Sequence, residues 1–184
     1  MSQFSPVENK KTLADFLVGI DKDIYPVGRL DFDSEGLLLL TNDSSINSRL
    51  LHPKSNYKKT YWVQVEGMIT EKHIVELRKG VDISINGKKY RTLPAKVSLL
   101  PNHEEQLWER NPPIRFRKEL PTSWISVEIG EGKNRQVRKM TAAVGFPTLR
   151  LIRVQIGTLQ IQGLLPGAYK MLSAQEIQNL IKNT

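Results

Sequence analysis

Residues 36–41 narrow the possible folds more than any other stretch: Leu37, Leu38, Leu39 and Leu40 follow Gly36 with no polar residue among them. A half-exposed strand alternates apolar with polar side chains. An unbroken run instead predicts a strand buried on both faces, with further structure packed above and below it. Four leucines fall far short of the ~20 apolar residues a membrane helix requires. The run therefore predicts an interior strand of a water-soluble protein.

The remaining chain carries both strand and helix patterns. Over 60–66, Tyr61, Val63 and Val65 alternate with Trp62 and Gln64, a strand with two distinct faces. Further strands are predicted over 81–85, 95–100, 124–129 and 149–156, with a short extended run over 24–27. A short amphipathic helix is predicted over 11–18, and another runs from an Asp43 cap to about residue 51, stopped before Pro53. Thr70 caps a third, which Gly80 ends, and residues 134–144 form the best helix of the second half. Ser173 and Glu176 make a capping box that opens a C-terminal helix. Hairpin-like strand pairs with occasional helices predict an α+β fold, a mixed and mostly antiparallel sheet with flanking helices. The expected organisation is one domain, residues 1–184, of two α+β lobes meeting near residue 55.

Composition removes several chemistries. With 184 residues and no cysteine, disulfides, iron–sulfur clusters and thiolate zinc sites are excluded. His52, His73 and His103 lie too far apart in sequence to suggest a metal cluster. The polar start of the chain has no apolar leader segment, so a cytoplasmic protein is expected. The net charge of +8 is unevenly spread. Residues 110–153 hold ten Lys/Arg and three acids, while the rest of the chain is nearly neutral. A concentrated positive field attracts polyanions, and nucleic acid is the expected class of partner.

The densest local signal precedes the leucines: Gly28-Arg29-Leu30-Asp31-Phe32-Asp33-Ser34-Glu35-Gly36. Alternating acids invite a calcium-loop reading, but counting from Asp31 puts Asn42 where a bidentate Glu belongs and leucines at the middle positions. A solvated turn remains the simpler account of this loop alone. Two other segments bear on it. Lys59-Thr60-Tyr61-Trp62-Val63 puts a phenol on a strand. Gly130-Glu131-Gly132-Lys133-Asn134-Arg135-Gln136-Val137-Arg138-Lys139-Met140 is a flexible loop running into a helix. Val137, Met140 and Val144 give that helix an apolar stripe, and Arg135, Arg138 and Lys139 give it an adjacent basic one.

In this order, followed by Val144-Gly145-Phe146-Pro147, the three segments resemble the RsuA-type ribosomal RNA pseudouridine synthases. The stretches from Arg110 to Arg115, Pro121 to Trp124 and Phe146 to Arg153 are most similar to the RluE branch, which modifies a uridine in 23S ribosomal RNA. The resemblance implies the pseudouridine synthase fold, two α+β subdomains around a central cleft. It implies that Asp31 is the catalytic nucleophile, that Tyr61 stacks on the target base, and that Arg138 pairs with the aspartate. It implies no metal and no cofactor, with large-subunit ribosomal RNA as the partner and a monomer as the working unit. Arg29, Lys133, Arg135, Lys139, Arg150 and Arg153 are candidates for holding RNA. Asp33 and Glu35 are expected to shape the loop, and Trp108 and Trp124 to pack. An S4-like RNA-binding module is not expected, and the family's opening strand with its Lys-Pro turn is missing from this sequence. Two rivals stand beside this reading: a catalytically silent RNA-binding or ribosome-assembly protein, and a metal-dependent nuclease or phosphatase using Asp31, Asp33 and Glu35.

Overall fold

The structure, a computed structural model, describes residues 1–52, 55, 57–100, 107–114 and 120–182. Arg115, Arg117 and Lys118 of the basic segment, together with Pro53 and His103, lie outside the described residues. In chain order the strands are β1 (Tyr25–Pro26), β2 (Glu35–Gly36), β3 (Leu40–Thr41), β4 (Lys59–Glu66), β5 (Asp82–Ile85), β6 (Lys88–Arg91), β7 (Lys96–Leu99), β8 (Thr122–Ile129), β9 (Thr148–Ile156) and β10 (Leu159–Gln160). The helices are α1 (Ser44–Leu51), α2 (Glu71–Arg78), α3 (Gln136–Ala143) and α4 (Ala174–Lys182), preceded by a single 3₁₀ turn at Leu13–Asp15. Among the described residues, no helix is long and apolar enough to cross a membrane.

The central sheet runs β9-β4-β8-β7, antiparallel throughout. On the far side of β9 lie β10, antiparallel, and β2, parallel, with Glu35 opposite Ile152 and Gly36 opposite Arg153. The alternation read in β4 holds. Tyr61, Val63 and Val65 face a core shared with Ile74 and Leu77 of α2, Val137 and Met140 of α3, and Ile125 and Val127 of β8. Trp62 faces the other way, toward Trp124, Ile152, Val154 and Trp108. Val63, Val65, Ile74, Leu77, Ile125 and Met140 are fully enclosed, and each such side chain contributes about 1.5–3 kcal/mol through water exclusion. A third cluster joins Val27 and Leu50 to Tyr57, Ile156 and Leu180.

The leucine run departs from expectation. Residues 36–41 form no single strand: β2 ends at Gly36, with the Leu37 amide still donating to the Arg153 carbonyl, and by Leu39 the chain pairs instead with the β1 side, where β3 lies. Each of the four leucines is half-buried rather than enclosed on two sides. Gly36 explains the break. Its φ is +105°, and an added Cβ would lie 2.3 Å from the Arg153 carbonyl oxygen. The chain touches β9 there and then swings across to the third cluster, where Leu37 and Leu39 pack. The helix expected over 11–18 is likewise only the one 3₁₀ turn, and Phe16 and Val18 are exposed rather than packed. Two strands were not anticipated. β6, which pairs with β5 across Asn86 and Gly87, is polar and largely exposed, and β10 has two residues.

Candidate active site

Asp31 opens a tight turn, closed by the Ser34 amide donating to the Asp31 carbonyl at 2.9 Å. Both ends of the turn are tied down. The Ser2 hydroxyl accepts from the Leu30 amide (3.0 Å) and donates to the Leu30 carbonyl (3.2 Å). Downstream, Glu35 and Gly36 are paired with β9. The Asp31 carboxylate is therefore presented from a fixed backbone and remains 30% exposed.

The cations come from α3, a hundred residues away. Arg135 stands at the start of that helix in the left-handed region, φ 51°, a conformation that costs a non-glycine residue about 1 kcal/mol or more. Its guanidinium grips Asp33 with two bonds, 2.9 and 3.0 Å, and reaches Asp31 at 3.9 Å. That fork holds the Asp33 carboxyl below its ordinary range. Arg138, one turn further along, is nearly buried and donates to the Asp33 carbonyl at 2.8 Å and to the Ser34 hydroxyl at 3.3 Å. Burial pulls its basicity down, while the charges of Asp33 and Asp31 push it up. The expected direct pairing of Arg138 with Asp31 is thus replaced. Arg138 makes its ion pair with Asp33, at 3.4 Å, and among the described residues Arg135 is the cation paired with Asp31, at 3.9 Å.

Tyr61 approaches from the sheet. It lies opposite Arg153 in the β4–β9 register, so both side chains occupy the same face. Burial pushes the Tyr61 phenol above its usual value; the Arg153 guanidinium beside it pulls the other way, and the charge of Asp31 adds to the rise. The phenol is consequently neutral at physiological pH. Arg153 is buried, only 6% exposed; its Nε donates to the Leu37 carbonyl at 2.7 Å, and its buried Nη2 has no hydrogen-bond partner among the described residues.

Beneath the turn, on the opposite face of the sheet, Glu35 is clasped by Arg150 at 2.8 and 2.8 Å and by the Trp108 indole N–H at 2.7 Å. Arg110 stands 3.3 Å away. Two of the RNA-binding candidates lie inside the protein. Arg150 and Arg153 are both buried, with Arg150 spent on Glu35 and the Trp108 carbonyl and Arg153 turned toward Leu37 and Tyr61. Neither is at the surface: Arg150 lies against Glu35 and Trp108 on one face of β9, and Arg153 against Leu37 and Tyr61 on the other. Arg29, Lys133 and Arg135 are exposed and Lys139 half-exposed, as RNA contact requires.

The supporting roles of three residues escaped the sequence reading. Ser2 carries no pattern, and Arg110 is read only as part of the basic segment and of the stretch to Arg115. Glu131 looked like a flexible loop residue, yet it accepts from the Tyr90 hydroxyl, the Leu93 amide and Gln136, fastening the approach to α3 onto the β5–β6 hairpin. Among the described residues, no three His, Asp or Glu side chains gather as a metal site requires. Asp33 and Glu35 are turned onto arginines instead.

Three distant segments thus meet around one exposed carboxylate. The sequence pattern of the RNA pseudouridylate synthases matches residues 4–143. The chain belongs to that family. This pseudouridine synthase is 52% identical over 173 residues to ribosomal large subunit pseudouridine synthase E of Vibrio vulnificus, covering 94% of this chain and 70% of the relative. It is 46% identical over 180 residues to the protein of the same name from Xanthomonas campestris, covering 97% and 92%. Among solved structures, a crystal structure of a pseudouridylate synthase superposes with a TM-score of 0.75 at 28% identity, over 94% of this chain and 66% of that one. The synthase is therefore an enzyme, an isomerase acting on RNA, with the mixed α+β fold expected.

Proposed function

We propose that this synthase isomerises a uridine of large-subunit ribosomal RNA, with Asp31 as the nucleophile. One observation carries the reading: Asp31, Tyr61 and the Arg135/Arg138 pair are brought to one place from the turn, the sheet and α3. The names of the relatives support the choice of RNA.

The reaction breaks the bond from uracil N1 to the ribose C1′, turns the base and joins its C5 to C1′. The C5 proton leaves and N1 gains one, so no electrons are exchanged and no cofactor is called for. Asp31 adds to the base or acts at the ribose, either of which needs an ionised carboxylate. Arg135 reaches that carboxylate at 3.9 Å, and Arg138 holds the turn that presents it. A uridine inside a paired helix cannot reach Asp31, so it must swing out, and the neutral Tyr61 ring offers it a flat apolar partner. Arg29, Lys133, Arg135 and Lys139 hold phosphates on either side. The reading takes the synthase as a monomer acting in the cytoplasm.

Pseudouridine mapping of large-subunit RNA tests this reading, using cells with the protein, without it, and with Asp31→Asn in its place. One position should lose its modification without the protein, regain it with the wild type, and stay unmodified with the variant. An unchanged map in all three would overturn the proposal.

A further inference from the structure

Arg135 holds Asp33 and Asp31 from a backbone in the left-handed region, φ 51°. A residue with a side chain keeps that conformation only where its surroundings impose it, and such strain gathers at functional sites. The imposing contacts surround Gln136, which is 3% exposed. Its Oε1 accepts from the Lys133 amide at 2.9 Å, and its own backbone amide donates to the Lys133 carbonyl at 3.1 Å. Residues 133–136 are thereby closed into one turn with Arg135 inside it. The Gln136 Nε2 in turn donates to Glu131 Oε1, which also accepts from the Leu93 amide at 2.9 Å, while Glu131 Oε2 accepts from the Tyr90 hydroxyl. Tyr90 lies on β6 and Leu93 just beyond it. One carboxylate therefore ties the first residue of α3 to the β5–β6 hairpin through three bonds, and bonds to an ionised acceptor are the stronger kind.

We propose that Glu131 is a positioning residue for the reaction: by fastening Gln136 to the β5–β6 hairpin it holds Arg135 in the strained backbone that aims its guanidinium at Asp33 and Asp31. The kinetic side of this role rests on the reading above, in which Asp31 is the nucleophile. Without the Glu131 carboxylate the turn at 133–136 loses its anchor and relaxes to an unstrained backbone. The direction of the Arg135 side chain follows its φ, so relaxation opens the fork on Asp33 and breaks the 3.9 Å pair with Asp31. A displacement of about 1 Å near the reacting atoms costs up to about 100-fold in rate. A hairpin that touches no reacting atom then sets turnover.

The Asp33 carboxyl reports the aim of Arg135 without any turnover, because the Arg135 fork is the main cause of its lowered pKa. Facing Asp33 are Arg135 and Arg138 of α3, with Arg110 donating to its carbonyl and Asp31 sharing Arg135. In a carboxyl NMR titration, Glu131→Ala should move Asp33 up toward its ordinary 3.8. The sign is decisive, since deleting an acid acts by charge alone to move a nearby carboxyl down. Tyr90→Phe keeps the ring and removes one of the three bonds, so it should give a smaller rise, and it serves as the test if Glu131→Ala does not fold. Tritium release from 5-labelled uridine RNA should show kcat about tenfold or more lower in Glu131→Ala. Glu131→Gln should recover most of that loss, because its amide oxygen still accepts from Leu93 and Gln136. In an Arg135→Ala background Glu131→Ala should cost nothing further. An Asp33 carboxyl that stays in place or moves down, or an equal loss with and without Arg135, would overturn the positioning role and leave the proposed function standing. A wild type that releases no tritium would strike the proposed function and leave the NMR result untouched.

Discussion

Glu35 carries more of the local structure than any other single side chain near the turn. Its carboxylate takes two bonds from Arg150 and one from Trp108, with Arg110 alongside, and both members of the main pair are shielded from solvent. Glu35→Gln leaves the Arg150 charge buried without a counter-ion, and should cost about 3 kcal/mol, read as a lower urea midpoint. Asp33 behaves differently because it is more exposed. Its lowered pKa means the grip of Arg135 stabilises the fold fully above the ordinary value of 3.8 and fades as pH falls through the depressed one. Urea titrations at falling pH should show this acid-side loss in the wild type and a smaller one in Asp33→Asn. At this scale the sequence points to candidate residues but not to whom they touch. Asp31, Tyr61 and Arg138 are candidates because they sit in ordered motifs, and their roles are for the experiments above to test. The partnership of Glu35 with Arg150 was hidden, since a cluster of positive charge along a sequence does not reveal that β9 turns both of its arginines inward.

Elements show where local information suffices and where it does not. Asp43 caps α1 through the Ser45 and Ile46 amides, and Ser173 and Glu176 form the box that starts α4, both as the sequence predicts. Caps depend on side chains a few residues apart, so they are readable in advance. The leucine run was not, because its course is decided by a remote strand: Gly36 pressed on the Arg153 backbone ends β2 and sends the chain elsewhere. Gly36→Ala meets both a left-handed backbone and a carbonyl in its way, and should destabilise by about 2 kcal/mol or more in a thermal or urea melt. The turn that presents Asp31 is anchored through the same pairing, so activity should fall further than stability explains.

Over the whole molecule, charge that looked like one basic block separates into two roles. The half-buried Arg110 and the buried Arg150 hold Glu35, whereas Arg29, Lys133, Arg135 and Lys139 are exposed or half-exposed. RNA affinity should therefore fall with salt at a slope of about −0.7 per phosphate contact, and Lys133→Ala should flatten it by about that amount. The overall α+β class followed from pattern, while the meeting of three remote segments followed from the order of their motifs and from no periodicity. The central claim is that the Asp31 carboxylate does the chemistry, and tritium release from 5-labelled uridine in large-subunit RNA tests it most directly. The account predicts release by the wild type and none by Asp31→Asn, which should still bind the RNA with wild-type affinity. Release by that variant at the wild-type rate would contradict it.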